Sequence, residues 1–166
     1  MKKLILTAAI AVTLSTGAFA VEGTKTSSNN NKISYQLANQ FDSQFTDAED
    51  VSWSATPNGQ KAEFMLDDVK MTAFYDNSGD FIGTTEGVSL KKLPVKARKE
   101  IAQKYQGYEI GDVIKFQPGD NAIDLYHFSL EGSNSVAYFV DLKNDKEEFL
   151  LRVTPQSSID FYKQIK

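Results

Sequence analysis

Residues 51–85, VSWSATPNGQKAEFMLDDVKMTAFYDNSGDFIGTT, decide the fold because apolar side chains recur there at every second position. Val51, Trp53 and Ala55 alternate with Ser52 and Ser54, and Pro57-Asn58-Gly59 then supplies a tight turn. Ala62, Phe64 and Leu66 fall on one side of the next run. Residues 71–75 form a third, and Asn77-Ser78-Gly79 turns into a fourth at 81–85. A period of two with turn residues every eight to ten positions predicts an antiparallel meander of four strands.

Moving outward, the period on either side is near 3.6. Ile33, Leu37, Ala38, Phe41 and Phe45 predict a first helix, with Ser34 placed to cap it. Leu93-Pro94 opens a second, carrying Ala97, Ile101, Ala102 and Tyr105 on one face, and Gly107 stops it. Further strands are expected at 113–116, 123–130, 136–142 and 148–153. The second half thus repeats the rhythm of the first. MTAFYD (71–76) lines up with VAYFVD (136–141) at an offset of 65, and Phe64 lies 64 residues before Phe128. The expected fold class is α+β: tandem duplicated helix-plus-antiparallel-strands units forming one curved sheet with helices on one face. The units span about 33–88 and 89–153, and a C-terminal segment, 154–166, follows.

The first twenty residues carry a different message. Lys2 and Lys3, an apolar run at 4–14 and Ala18-Phe19-Ala20 predict a secretory signal peptide cleaved near Ala20. Eleven apolar residues are too few for a helix that must cross a bilayer with roughly 20, so no transmembrane segment is expected in the mature form. Position 21 is Val, whereas a lipoprotein needs cysteine after cleavage. Residues 21–32, VEGTKTSSNNNK, are too polar to repay ordering and read as a flexible leader before one domain at 33–166. The expected location is the periplasm or the medium.

Composition narrows the chemistry. The chain has no cysteine, which removes thiolate nucleophiles, thiolate zinc sites and disulfides. Net charge is −4 for the whole sequence, and loss of Lys2 and Lys3 makes the mature chain more acidic still. Nucleic acid and anionic lipid need a basic footprint and are not expected partners. His127 is the one histidine, flanked by Tyr126 and Phe128; the sequence identifies no nucleophile or orienting partner for it and has no GxSxG turn. Asp76-Asn77-Ser78-Gly79-Asp80 lacks the twelve-residue calcium pattern and reads as a turn. No cofactor and no metal is expected. Asp67-Asp68 and Glu147-Glu148 are the adjacent carboxylate pairs on which a hydrolase reading would rest.

The phrase Phe45-x-x-Ala48-x-x-Val51-x-Trp53, the segment AFYDNSGDFIGTT (73–85) and the helix LPVKARKEIAQKYQGYEI (93–110) resemble the exported PepSY-like proteins of Gram-negative bacteria. These are grouped with the β-lactamase-inhibitor-protein-like (BLIP-like) fold. The resemblance covers most of residues 35–153. It implies two tandem helix-plus-strand units in one antiparallel sheet, and a role in binding or inhibiting hydrolases. It brings no catalytic residue, and the cysteine pairs of the inhibitor that names the fold are absent here.

One feature asks for a functional explanation: the central strands are apolar on both sides, with Phe74 beside Tyr75 and Tyr138 beside Phe139. Helices cover one face only. With Ala62, Phe64, Leu66, Tyr75 and Tyr138 toward the helices, Met65, Phe74, His127, Phe139 and Leu150 fall on the other face, rimmed by Glu63 and Arg152. Such a patch predicts a non-enzymatic surface for an extracytoplasmic protein partner. The alternatives are an exported carboxylate-dependent hydrolase, a structural homodimer that buries this face, and cover by residues 159–165.

Overall fold

The computed structural model describes residues 33–119 and 136–166. The expected signal peptide and leader, His127 and the expected strand at 123–130 lie outside them. Helix α1 (Tyr35–Gln44) precedes β1 (Glu49–Thr56), β2 (Gly59–Leu66), β3 (Val69–Asp76) and β4 (Phe81–Gly87). Helix α2 (Val95–Lys104) precedes β5 (Glu109–Pro118), β6 (Ala137–Lys143), β7 (Glu148–Val153) and β8 (Ile159–Gln164). All eight strands form one antiparallel sheet whose spatial order is the sequence order.

At ten residues each, the helices are too short to persist on their own and are held by what they bury. Ser34 caps α1, its hydroxyl accepting the Leu37 N–H at 3.1 Å, while Leu37 and Phe41 bury one turn apart. Pro94 stands one position earlier than expected, as the residue before α2, behind a short 3-10 turn at Leu90–Lys92, and gives no side-chain cap. Ala102 is exposed: Ala97 and Ile101 share the buried face four residues apart, and the next residue is turned about 100° away.

The four strands expected in the first half are all present. Their turns explain several residues singled out above. A side chain at Gly59, φ 153°, would place its Cβ 1.9 Å from the Tyr75 carbonyl oxygen. Asp67 and Asp68 both have left-handed backbones, φ 50° and 61°, and close the two-residue β2–β3 hairpin in the manner short polar side chains tolerate. The Asp76 carboxylate accepts the N–H groups of Ser78 and Asp80 at 2.9 and 2.8 Å, so it is spent on its own turn.

Two expectations for the second half change. The C-terminal segment does not lie over a face of the sheet; it pairs with β7 and becomes, among the described residues, the edge strand β8. The 65-residue offset joins β3, third strand after its helix, to β6, which is second after its helix among the described residues. The helices instead coincide at an offset of 60. Phe45 and Tyr105 donate back to Phe41 and Ile101, and Ala48 and Tyr108 then donate to Phe45 and Tyr105.

Registers carry one face across the whole sheet. Phe64 pairs with Met71, Met71 with Glu86, Glu86 with Lys115, Lys115 with Tyr138 and Tyr138 with Val153. Both helices pack on this side, over separate cores. Leu37 and Phe41 meet Ala62, Phe64, Ala73 and Tyr75. Leu93, Ala97 and Ile101 meet Val113, Val140, Leu142, Phe149, Leu151 and Val153. Between the cores the same face is polar, crossed by the Glu86–Lys115 ion pair at 2.8 Å.

Candidate functional site

The face opposite the helices follows from strand alternation. Met65, Phe74, Phe139, Leu150, Glu63 and Arg152 all lie on it, because each neighbours a residue that faces a core. All six are half-buried. His127, the seventh expected member, lies outside the described residues.

Their distribution is less uniform than the sequence implied. Phe74 is on β3 and Phe139 on β6, three strand spacings or roughly 14 Å apart in the plane of the sheet. The β4 residues between them that face this side are Gly83, Thr85 and Gly87, which raise little side chain above the floor. Gly83 is also a required glycine: with φ 151°, an added Cβ would sit 2.5 Å from the Gln117 carbonyl and 2.9 Å from the Phe116 ring. The Phe116 ring therefore lies against the Gly83 backbone, next to Phe74 in the cross-strand row. Met65 stands apart near the β1 edge, opposite Lys70.

A second apolar group surrounds Phe139. Ile114 is its register partner on β5, Arg152 its partner on β7, and Tyr162 packs against it with ring centroids 4.7 Å apart. Leu150 lies one pair further along β7, opposite Asp141. Ile114, Phe116 and Tyr162 were not among the expected site residues. For the first two the signal was present: Val113 faces the core, so 114 and 116 must face away. Tyr162 has no such signal, because β8 did not read as a strand.

Polar groups frame the two patches. Glu63 is paired with Lys61 and lies 3.8 Å from Lys70. The hydrogen bond from Lys61 holds its carboxyl below the usual range, against the opposing effect of burial. Arg152 reaches Asp160 at 3.4 Å, while its Nε is buried with no hydrogen-bond partner among the described residues. Asp141 Oδ1 is likewise buried with no partner among the described residues, and burial, with Glu148 nearby, pushes that carboxyl up. Polar atoms left in this condition are costly in the free chain and reward a partner that satisfies them.

Among the described residues the adjacent carboxylates are engaged locally. Asp67 and Asp68 serve a turn, and Glu147 accepts the Tyr108 hydroxyl. Among the described residues no three His, Cys, Asp or Glu side chains are grouped to hold a metal ion, and no helix is long and apolar enough to cross a membrane. The recess lined by Gly107, Glu109, Lys143, Asn144 and Asp145 is polar and sits at strand ends, away from both patches.

No protein-family model and no curated protein matches the sequence. Solved structures do match the fold. A DUF2874 family protein from Bacteroides uniformis superposes with a TM-score of 0.65 over 80% of this chain and 90% of its own, at 13% identity. A BLIP-like protein from Bacteroides fragilis gives 0.63 over 80% and 86%, also at 13% identity. A Bacteroides eggerthii protein provisionally assigned to the periplasm gives 0.64 over 80% and 88%, at 10% identity. Identities this low speak for architecture alone. The chain has the fold of the DUF2874 and BLIP-like proteins of Bacteroides.

Proposed function

We propose that this chain is an exported, non-enzymatic domain that binds another protein through the helix-free face of its sheet, as an inhibitor or modulator of an extracytoplasmic hydrolase or peptidase. The observation that carries the reading is the apolar lining of that face: Phe74 and Phe116 beside Gly83, and Ile114, Phe139, Leu150 and Tyr162 around Arg152. Aromatic side chains and arginine are the residues that dominate binding energy when a partner desolvates them. Export is supported by the signal-like first twenty residues and by the periplasmic assignment of a structural neighbour. The BLIP-like neighbour supports binding rather than catalysis at the level of fold.

The test is capture from the native organism's extracytoplasmic extract, with the Phe74→Ala, Phe139→Ala double variant as control. The expected result is a protein retained by the unmutated chain and lost by a folded double variant. Equal retention by both would remove the face from the account.

We also infer that the two helix-plus-four-strand sets descend from one duplicated unit, on the support of the shared helix exits 60 residues apart. A chain of residues 33–88 alone is expected to self-associate into a folded sheet. A disordered monomer would count against the duplication.

A further inference from the structure

Charge is distributed unevenly over the helix side of the molecule. Residues 89–106 carry six basic side chains, Lys91, Lys92, Lys96, Arg98, Lys99 and Lys104, against one acidic, Glu100, in a chain whose net charge is −4. Residues 33–50, around α1, carry Asp42, Asp47, Glu49 and Asp50 and no basic residue. Glu100 is spent on Lys104 at 2.7 Å, and Arg98 is half-buried. Lys91, Lys92, Lys96 and Lys99 are exposed, and none of them is in a salt bridge among the described residues.

The fold gathers these four lysines on one surface. Ala97 and Ile101 bury the inner edge of α2, so at about 100° per residue Lys99 stands on the opposite edge, with Val95 and Lys96 to either side. Val95 is 58% exposed there. The 3-10 turn at Leu90–Lys92 adds Lys91 and Lys92 directly ahead of the helix. Lysine is a compact point charge on a flexible stem, without the fixed fork that arginine offers to one placed carboxylate or phosphate. Four such charges around an exposed valine suit an array of mobile anions better than a single shaped epitope.

We propose that the outer face of α2 rests on the anionic headgroups of a lipid bilayer. The net charge of the chain speaks against such a partner, but a membrane surface acts mainly on charges within a Debye length of it, about 10 Å at 0.1 M salt. The apolar side of α2 is taken up by its core, so the helix lies on the headgroups and does not insert. The acidic α1 end is repelled, which tips the molecule onto α2. Both helices lie on one side of the sheet, so the opposite face, with Phe74 and Phe139, is turned away from the lipid. The proposal does not depend on what that face binds.

Four lysines on an anionic surface correspond to an association constant on the order of a thousand per molar lipid, so the contact is reversible. The test is co-sedimentation of the chain from Val21 with vesicles at about 10 mM lipid, with circular dichroism to confirm folding. Vesicles of phosphatidylethanolamine with about one-third phosphatidylglycerol should carry most of the chain down at about 0.1 M salt and release it at about 0.5 M. Phosphatidylcholine vesicles should leave it in solution. The triple variant Lys92→Gln, Lys96→Gln, Lys99→Gln should bind on the order of a hundredfold more weakly. The triple variant Lys70→Gln, Lys143→Gln, Lys163→Gln removes the same charge from the helix-free face and should bind nearly as the parent does. The Phe74→Ala, Phe139→Ala variant should also keep its lipid binding, so the two faces are read separately. No sedimentation with the anionic vesicles at low salt would overturn the proposal and leave the basic face to an acidic protein. Equal loss in both triple variants would overturn it by tracing binding to net charge.

Discussion

The two halves of the sheet solve one packing problem with different side chains. Under α1 the core is aromatic. Phe41 alone meets Phe45, Trp53 and Phe64 at centroid distances of 5.0, 5.4 and 5.0 Å, the last edge-to-face at 87°. Room for these rings comes from Ala62 and Ala73, cross-strand partners with no exposed surface. Under α2 the centre is aliphatic: Ile101, Val140, Leu142, Leu151 and Val153, with Tyr105, Tyr108 and Phe149 grouped at one end. The first core concentrates its burial in a few large rings, whereas the second spreads it over many medium side chains. Architecture is therefore set by strand period and helix placement, while core composition is free to differ so long as volume is filled.

The sharpest way to break this comparison is to truncate the hub of the aromatic core. Phe41→Ala is expected to cost about 4 kcal/mol in chemical denaturation, since three ring contacts and a large buried volume go at once. Leu142→Ala in the aliphatic core should cost about 3 kcal/mol, because its smaller cavity is shared among more neighbours. The reverse order would mean that the aliphatic half carries the fold. Third in size, Ser34→Ala should cost about 1 kcal/mol by stranding the Leu37 N–H at the start of α1. No equivalent loss exists for α2, where Pro94 makes no side-chain cap.

The smallest expected effect has the opposite sign. Burial raises the Asp141 carboxyl, with Glu148 adding to it, so the folded state disfavours the ionised form. The folded chain then binds more protons than the unfolded one between the usual carboxylate value and the raised one, and stability falls as pH rises through that window. Asp141→Asn should therefore raise the melting midpoint at neutral pH, and the gain should vanish in acid below the ordinary aspartate range. A variant less stable than the parent at neutral pH would show that the ionised carboxylate is held by a favourable contact.

The sheet faces were legible in the sequence because regular alternation leaves no choice: once Ala62 and Phe64 face a helix, Glu63 and Met65 cannot. Two of the three turns of the first half were legible for the same local reason, at Pro57-Asn58-Gly59 and Asn77-Ser78-Gly79. What escaped was non-local. β8 has five exposed residues out of six, so no apolar period announces it; its place is set by backbone pairing to β7. The spread of the candidate site escaped as well. Phe74 and Phe139 share a face by parity, but only the sheet order reveals the glycine floor of β4 and the Phe116 and Ile114 side chains between them.

The proposed binding face is tested most directly by site-specific photo-crosslinking in the native extracytoplasmic extract. A benzoylphenylalanine probe at position 139 stands on the helix-free face, and one at position 99 on the exposed side of α2. A discrete crosslinked partner from position 139, with none from position 99, is the predicted result. Crosslinking from position 99 alone would place recognition on the helices and contradict the account.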